Sequence, residues 1–327
     1  MNRQRRKGES NESRRNSDLR SLSTEKTNRA SARLDQESAL EIARIINRED
    51  AKVAGAVKGS LPQIAKAIDL IAAAISSGGR LIYVGTGTSG RIAALDAVEC
   101  PPTFDLSPRT VQFIIAGGAR ALGAAVEADE DSREVGRKAM AKKKPGKKDV
   151  VVGIAASGRT PFTVAAVEYA RARGATTVAV VCNPNSPLSK AAQVAIVAEV
   201  GPEVLTGSTR MKAGTAQKMI LNMLTTGAMA RLAYVYGNFM VNLRPKNAKL
   251  SERAVSILEE AADLKRRAAR ALLVSAEGRV PVALVMALAG ISQEEAVAAL
   301  KASSGRVRDA LAAAKRKPGA GYKGNLR

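Results

Sequence analysis

Between Arg80 and Val200 the chain repeats one pattern five times: a run of β-branched and aliphatic residues, a turn, and a stretch with helical periodicity. The runs are "RLIYVG" (80–85), "TVQFIIAG" (110–117), "DVVVGIAA" (149–156), "TTVAVVC" (176–182) and "VAIVAEV" (194–200). They are apolar almost throughout rather than alternating, which suits strands covered on both faces. Helical stretches fill the intervals, notably 88–98, 161–173 and 211–235. Strands that alternate with helices predict an α/β fold with a mainly parallel sheet between two helical layers. In such folds ligands bind beyond the carboxyl ends of the strands, near a switch in strand order, so the turns after the strands are where chemistry belongs.

The flanks read differently. Residues 1–23 are rich in Ser, Asn and Arg with almost no apolar periodicity, which predicts a disordered basic extension. Helical spacing begins with Leu40, Ile42, Ile45 and Ile46 and continues with Ile64, Ile68, Ile71 and Ile75, until Gly78 and Gly79 stop it. A boundary is expected in the interval Asn242 to Lys249. Beyond it, residues 250–312 read as a small, wholly helical C-terminal domain in which Ser292 and Glu295 have the spacing of a capping box. Residues 313–327 form a basic tail.

Composition limits the chemistry. The chain has no histidine, which excludes Ser-His-Asp and Cys-His triads and His-ligated zinc. Acid–base work must fall to Glu, Asp, Lys, Tyr, Cys or water. Cys100 and Cys182 stand alone, in no metal-ligand or CxxC pattern, as reduced thiols of a cytosolic protein would. A net charge of +22 invites a nucleic-acid reading. However, the basic residues concentrate in the first twenty residues, in Arg137 to Lys148 and in Ala312 to Arg327. The first and last are tail-like, and the middle one reads as an exposed loop. With aromatics at 3% there is no base-stacking platform either, so no nucleic-acid partner is expected. No stretch reaches 18 consecutive apolar residues and the N-terminus is not signal-like, which predicts a soluble, cytoplasmic chain without a membrane partner.

The turn after the first run, "GTGTSGR", has Gly85, Gly87 and Gly90 at dinucleotide-fingerprint spacing. Such a site also needs an acidic residue at the end of the second strand. Here that strand ends in "FIIAGG", and Asp105, at about the right offset, lies before it in a turn-like segment. Thr86, Thr88 and Ser89 instead supply hydroxyls at a helix N-terminus, which suits a terminal phosphate. The chemistry recurs twice. "ASGRTP" brings Ser157 and Thr160 to a helix that starts with Pro161, and "LTGSTRMK" brings Thr206, Ser208, Thr209, Arg210 and Lys212 to the start of another. Any one of these could be only a strand–helix turn; three together favour a phosphate-bearing small ligand.

Two groups of carboxylates stand out. Glu99 closes the first helix in "DAVECPPTF", where Pro101 and Pro102 are expected to stop it. A carboxylate at a helix C-terminus faces the negative end of the macrodipole, which favours its protonated form and suits a general acid. Glu127, Asp129, Glu130 and Asp131 crowd into "VEADEDS", with Glu127 and Glu130 on one face if the segment is helical. A surface glutamate and a solvated acidic face are the plainer readings.

Together, "GRLIYVGTGTSGR", "ECPPTF", "AGG", "DVVVGIAASGRTP", "GPEVLTGSTRMKAGTAQKMILNML" and "YGN" resemble the N-acetylmuramic acid 6-phosphate etherases. That family belongs to the sugar isomerase (SIS) domain group and is related to the glucokinase regulatory protein. The resemblance runs from Thr24 to about Leu250, with 24–249 as an SIS-type catalytic domain, and more weakly through the helical tail. It implies a cytoplasmic homodimeric lyase of cell-wall sugar recycling that needs neither metal nor cofactor. The reaction cleaves the D-lactyl ether of its phosphosugar to give N-acetylglucosamine 6-phosphate and D-lactate. By motif position Glu99 matches the acid that assists lactate departure and Glu130 the second active-site carboxylate. Phosphate binding falls to Thr88, Ser89, Ser157, Thr160, Ser208 and Thr209. Two positions depart from the family: "VEADEDS" replaces "VEGAEDS", placing Asp129 beside Glu130, and Asp105 stands where Gly is usual. A phosphosugar isomerase and a non-catalytic phosphosugar sensor are the rivals on the same fold. The first commonly recruits a histidine, absent here, and the second would release no lactate.

Overall fold

The computed structural model describes residues 22–315 except Arg244 and Lys246. Most of the expected basic extension and tail therefore lies outside the described residues. The described residues form two compact units. One comprises those of Met1–Ala97 with Thr110–Thr225, and the other those of Val98–Arg109 with Thr226–Arg327.

The first unit is the α/β unit. Its strands are β1 (Leu81–Gly85), β2 (Val111–Ile115), β3 (Val150–Ile154), β4 (Thr176–Val181) and β5 (Val194–Val197). All pair in parallel in the order β2-β1-β3-β4-β5. Every residue of β1 and β3 is buried, as unbroken apolar runs in a doubly covered sheet require. The order reverses between β1 and β3, so the turns after these two strands flank the switch crevice where ligands bind.

The helices follow from local signals. In chain order they are α1 (Ala39–Asp50), α2 (Val53–Lys58), α3 (Leu61–Ser76), α4 (Gly87–Phe104), α5 (Arg120–Gly123), α6 (Arg133–Lys143), α7 (Pro161–Ala172), α8 (Pro187–Ala191) and α9 (Lys212–Arg231). Ser38 and Ser132 cap α1 and α6, accepting from the N–H groups of Glu41 and Val135. Pro161 and Pro187 start α7 and α8, where a missing N–H costs nothing. Tyr83 of β1 and Thr225 of α9 donate hydrogen bonds of 2.9 and 3.2 Å to Asp96 of α4. Burial pushes that carboxyl up to about 6, against the pull of those bonds.

Three expectations need correction. Pro101 and Pro102 do not stop α4; the helix runs on to Phe104. The donors they lack would have served the carbonyls of Ala97 and Val98, so the loss falls within a turn or so of the end, where the helix tolerates it. Glu99 is therefore not the terminal residue but lies five residues short of the helix end. The acidic segment is not helical: Glu127 to Asp131 lead through a turn in which Glu130 N–H donates to Glu127 C=O at 3.0 Å. The basic run from Arg137 is not a loop throughout; through Lys143 it is the body of α6.

Leu22 and Ser23, assigned to the extension, belong to the fold. Leu22 is buried, and Ser23 donates through its N–H and hydroxyl to Asn183 at 3.0 and 2.9 Å. Asn183 in turn donates to Thr24 Oγ1 and to Ala156 C=O. Asn28 donates to Pro202 C=O, and Ser31 to Val204 C=O. Residues 22–31 thus lace together segments that follow β3, β4 and β5.

The second unit is helical: α10 (Ala248–Ala262), α11 (Arg266–Ser275), α12 (Val280–Ala289), α13 (Gln293–Ala302) and α14 (Val307–Lys315). Its core includes Leu258, Ala269, Val280, Leu284, Ala296 and Ala310. Ser292 and Glu295 form the expected capping box at the start of α13. Residues 98–109 also belong to this unit, ending α4 with Asp105 at φ +53°. That left-handed backbone is one that favours glycine, and Asp105 adopts it with a side chain in place. Among the described residues no single helix is long and apolar enough to cross a membrane.

Candidate active site

The turn after β1 has to bring α4 hard against the sheet. A β-carbon on Gly90 would lie 2.6 Å from Ile115 Cγ1 and 2.9 Å from Gly85 C=O, so only glycine permits this approach. Gly87, at φ +48°, begins the helix. The GxGxxG spacing thus records tight strand–helix packing. It leaves Thr88 partly exposed and Ser89 nearly buried in the first turn of α4, where N–H groups lack intrahelical partners.

Glu130 comes to this turn from the acidic segment. Its Oε1 lies 3.4 Å from where a Gly87 β-carbon would be, and Thr86 hydrogen-bonds the carboxylate. Its backbone C=O accepts from Phe162 N–H at 3.1 Å, which ties the acidic turn to the start of α7. Burial is the main cause that raises its pKa; Glu127 and Asp131 add to this, while Thr86 and Arg91 oppose it. Asp129, the departure beside it in sequence, is not among these causes.

Gly136 and Phe162 set how closely α6 approaches α7. A β-carbon on Gly136 would fall 2.2 Å from Phe162 C=O, so the two helices touch backbone to backbone. Between their N-terminal ends opens a cavity of about 570 Å³, lined by Glu130, Asp131, Arg133, Ser157, Arg159, Thr160, Pro161 and Pro187. That volume is ordinary for a small-molecule site. Thr160 is the N-cap of α7 but makes no capping hydrogen bond, and Ser157 Oγ accepts from Arg159 N–H at 3.2 Å. The cavity therefore combines two hydroxyls, a helix N-terminus, two arginines and a carboxylate of raised pKa.

The third hydroxyl cluster meets the first from the other side. A Gly214 β-carbon would lie 3.5 Å from Thr88 Cγ2, and Gly214 N–H donates to Thr209 C=O at 3.1 Å. The N-terminus of α9 is already occupied, however. Glu203, 0% exposed, accepts from the N–H groups of Lys212 and Ala213 at 3.0 and 2.9 Å. Lys212, 1% exposed, pairs with Glu49 at 2.6 Å. Burial pushes Glu49 up, but hydrogen bonds from Lys212, Lys52 and Asn28 outweigh it and hold the carboxyl at about 2. The first N–H groups of α9 are thus spent on an internal carboxylate and not on a ligand.

Of the residues expected from sequence, Glu130, Ser157 and Thr160 line one cavity. Thr88 and Ser89 form the neighbouring turn, and Thr209 adjoins Thr88 through Gly214. Ser208 follows in the same half-buried turn. Glu99 is not among the cavity residues; it is exposed on α4. Sequence reasoning did not single out Arg133, Arg159 or the hydrogen bond from Thr86. The "SGRT" and "DSR" strings contain both arginines, but nothing in their spacing marks them as lining. Both cysteines are buried and neither forms a disulfide, and burial pushes Cys182 up to about 12, which leaves it an inert thiol.

The family model for the glucokinase regulatory protein N-terminal SIS domain matches residues 63–171, and the SIS domain model matches residues 137–227. An N-acetylmuramic acid 6-phosphate etherase of Aeromonas hydrophila subsp. hydrophila is 52% identical over 288 residues, 88% of this chain and 97% of that protein. The Photobacterium profundum etherase of the same name is 50% identical over 298 residues, 91% of this chain and 99% of that one. N-acetylmuramic acid 6-phosphate etherase 1 of Enterococcus faecalis is 47% identical over 294 residues, covering 90% and 98%.

Proposed function

Because the chain belongs to the N-acetylmuramic acid 6-phosphate etherases, a family of carbon–oxygen lyases, we infer that it converts the muramic acid phosphate to N-acetylglucosamine 6-phosphate and D-lactate. The observation that carries the site assignment is Glu130 facing the same cavity as Ser157 and Thr160, beside the switch point of the sheet. The two hydroxyls and the N-terminus of α7 hold the 6-phosphate. Thr88 and Ser89, with Ser208 and Thr209 beyond, form the adjoining wall.

An ether at C3 is a poor leaving group, so the sugar is first opened to its C1 aldehyde, which acidifies the hydrogen on C2. Glu130 takes that proton. The electron pair forms the C2–C3 double bond as the C3–oxygen bond breaks, and Glu99 protonates the departing lactyl oxygen. Water then adds its hydroxyl to C3 and a proton returns to C2. A raised pKa makes Glu130 a stronger base than an ordinary carboxylate, which is what removal of a carbon-bound proton needs. Phosphate binding, remote from the reacting carbons, supplies the positioning. The setting is the cytoplasm, in recycling of cell-wall amino sugars.

Glu99→Gln and Glu130→Gln should each lower D-lactate release on the order of a hundredfold or more, with substrate affinity little changed. Near-normal turnover in either variant removes that residue from proton transfer. A chain that binds the phosphosugar but releases no lactate would be a sensor instead.

A further inference from the structure

The amino-terminal edge of the sheet, at the far end of the strands from the cavity, carries a patch of positive charge. There α3 leads into β1, α6 into β3 and α7 into β4. Glycines let these connections press together. A β-carbon on Gly79 would lie 1.9 Å from Lys148 C=O, and one on Gly174 would lie 2.9 Å from Lys147 Cγ. Asp149, buried beneath them, fixes their shape. It accepts from the N–H and guanidinium of Arg80 and from Gly146 N–H, while Arg80 also donates to Lys144 C=O at 3.2 Å. Lys142, Lys144, Lys147, Lys148, Arg171 and Arg173 stand exposed on the ledge so formed.

Local structure accounts for little of that charge. Cations at a helix C-terminus answer its macrodipole, but each such end amounts to only about half an elementary charge. Asp149 is spent on Arg80. Nearer the start of α6 the cations have partners: Arg137 and Lys138 pair with Glu134, and Arg133 with Glu168. Among the described residues, Lys142, Lys144, Lys147 and Lys148 have no ion pair. None of the exposed large apolar side chains lies on these connections, so the ledge lacks the apolar face with which a helix enters a lipid surface.

We propose that this ledge docks the phosphate backbone of double-stranded DNA without reading its sequence. Tail-like charge and few aromatics speak against nucleic acid in the sequence. In the fold, however, the middle basic run is a fixed surface, and backbone docking needs cations but no stacking ring. Lysine and arginine only donate, so a ribose 2′-hydroxyl gains no acceptor from them, and the bases of a single strand find no platform. A duplex carries one phosphate charge per about 1.7 Å of axis, which matches several cations set side by side. Each of β1 and β3 has five residues and spans about 17 Å, so DNA at this edge leaves the cavity at the opposite edge open.

Fluorescence anisotropy with a short labelled duplex, over a series of salt concentrations, compares three full-length chains. They are the wild type, a variant with Lys142→Gln, Lys144→Gln, Lys147→Gln and Lys148→Gln, and one with arginine at the same four positions. The glutamine variant should bind at least about tenfold more weakly at about 0.1 M salt. Its log–log salt slope should be smaller by about three, since each phosphate contact contributes about 0.9. The arginine variant keeps the charge and should match the wild type. Basic residues outside the described segments are common to all three chains, so the differences report the ledge. D-lactate release, expected at the wild-type level in both variants, checks that each chain is folded. Single Lys147→Gln and Lys148→Gln chains, each expected to lower the slope by about one, decide the matter should a quadruple variant misfold. Wild-type affinity and slope in the glutamine variant overturn the proposal, as does a wild type that binds no duplex. Equal weakening in the arginine variant does so too, because charge would then not be what binds. Phosphatidylglycerol vesicles or single-stranded RNA held more tightly than the duplex at equal salt would assign the ledge to another partner and defeat it.

Discussion

Glu203 and Glu130 each stand at the start of a helix in the α/β unit, and burial pushes both carboxyls above their ordinary value. Glu203 is fully enclosed, with two N–H groups of α9 donating to it and Lys212 alongside. Glu130 is half-buried, leans over the first turn of α4, and faces a cavity with Ser157 and Thr160. The direction of the pKa shift is the same in both and distinguishes nothing. What separates the two carboxylates is whether their oxygens are already spent on fixed donors. It also matters that one has a space beside it for a substrate.

The sharpest way to break this contrast is at the closed end. Lys212→Met leaves Glu49 buried with only Lys52 to neutralise it, and should cost about 3 kcal/mol of stability, read as a lower denaturant midpoint. A midpoint unchanged by the substitution would show that α9 is not held by this network. The open end is tested by binding. Ser157→Ala should raise KM on the order of tenfold by removing a hydroxyl from a charged phosphate. Ser208→Ala, beside the occupied N-terminus of α9, should stay within about threefold. Equal effects would mean that the phosphate reaches both turns. The smallest effect is on pH. With Glu130 as the proposed base, activity requires its ionised form, and its pKa should set the acid limb of kcat/KM. Glu127→Gln removes a like charge and should move that limb to lower pH. Thr86→Val removes a hydrogen bond that favours the ionised form and should move it higher. Shifts in the same direction would dissociate the limb from Glu130.

Much of the α/β framework was legible because its signals are local. The five strands fall within the expected runs, and Ser292 with Glu295 caps α13 as their spacing predicts. The failures share a cause: they occur where a local rule meets a distant partner or a neighbouring end. Prolines predict the end of α4, yet so near the terminus the helix tolerates losing two hydrogen bonds. The acids at 127–131 have helical spacing, but the turn is pinned by Glu130 C=O to Phe162 N–H, over thirty residues away. Likewise "LTGSTRMK" looks like a third phosphate turn. Only the fold reveals that Glu203, nine residues before Lys212, has taken the helix end. Glu130, Ser157 and Thr160, named from motifs, line one cavity, and Arg133 and Arg159 join them there only through the pairing of α6 with α7.

The backbone contact between Gly136 and Phe162 reaches beyond packing. The turn that carries Glu130 and the loop that carries Ser157 are fastened to the leading ends of the two helices that meet there. A single methyl at position 136 would wedge those helices apart and widen the mouth in front of them. The width of that cavity is thus fixed from behind, by an atom that is missing rather than by any group that lines it. Selection on fit can act at such a place and leave no chemical signature to mark it.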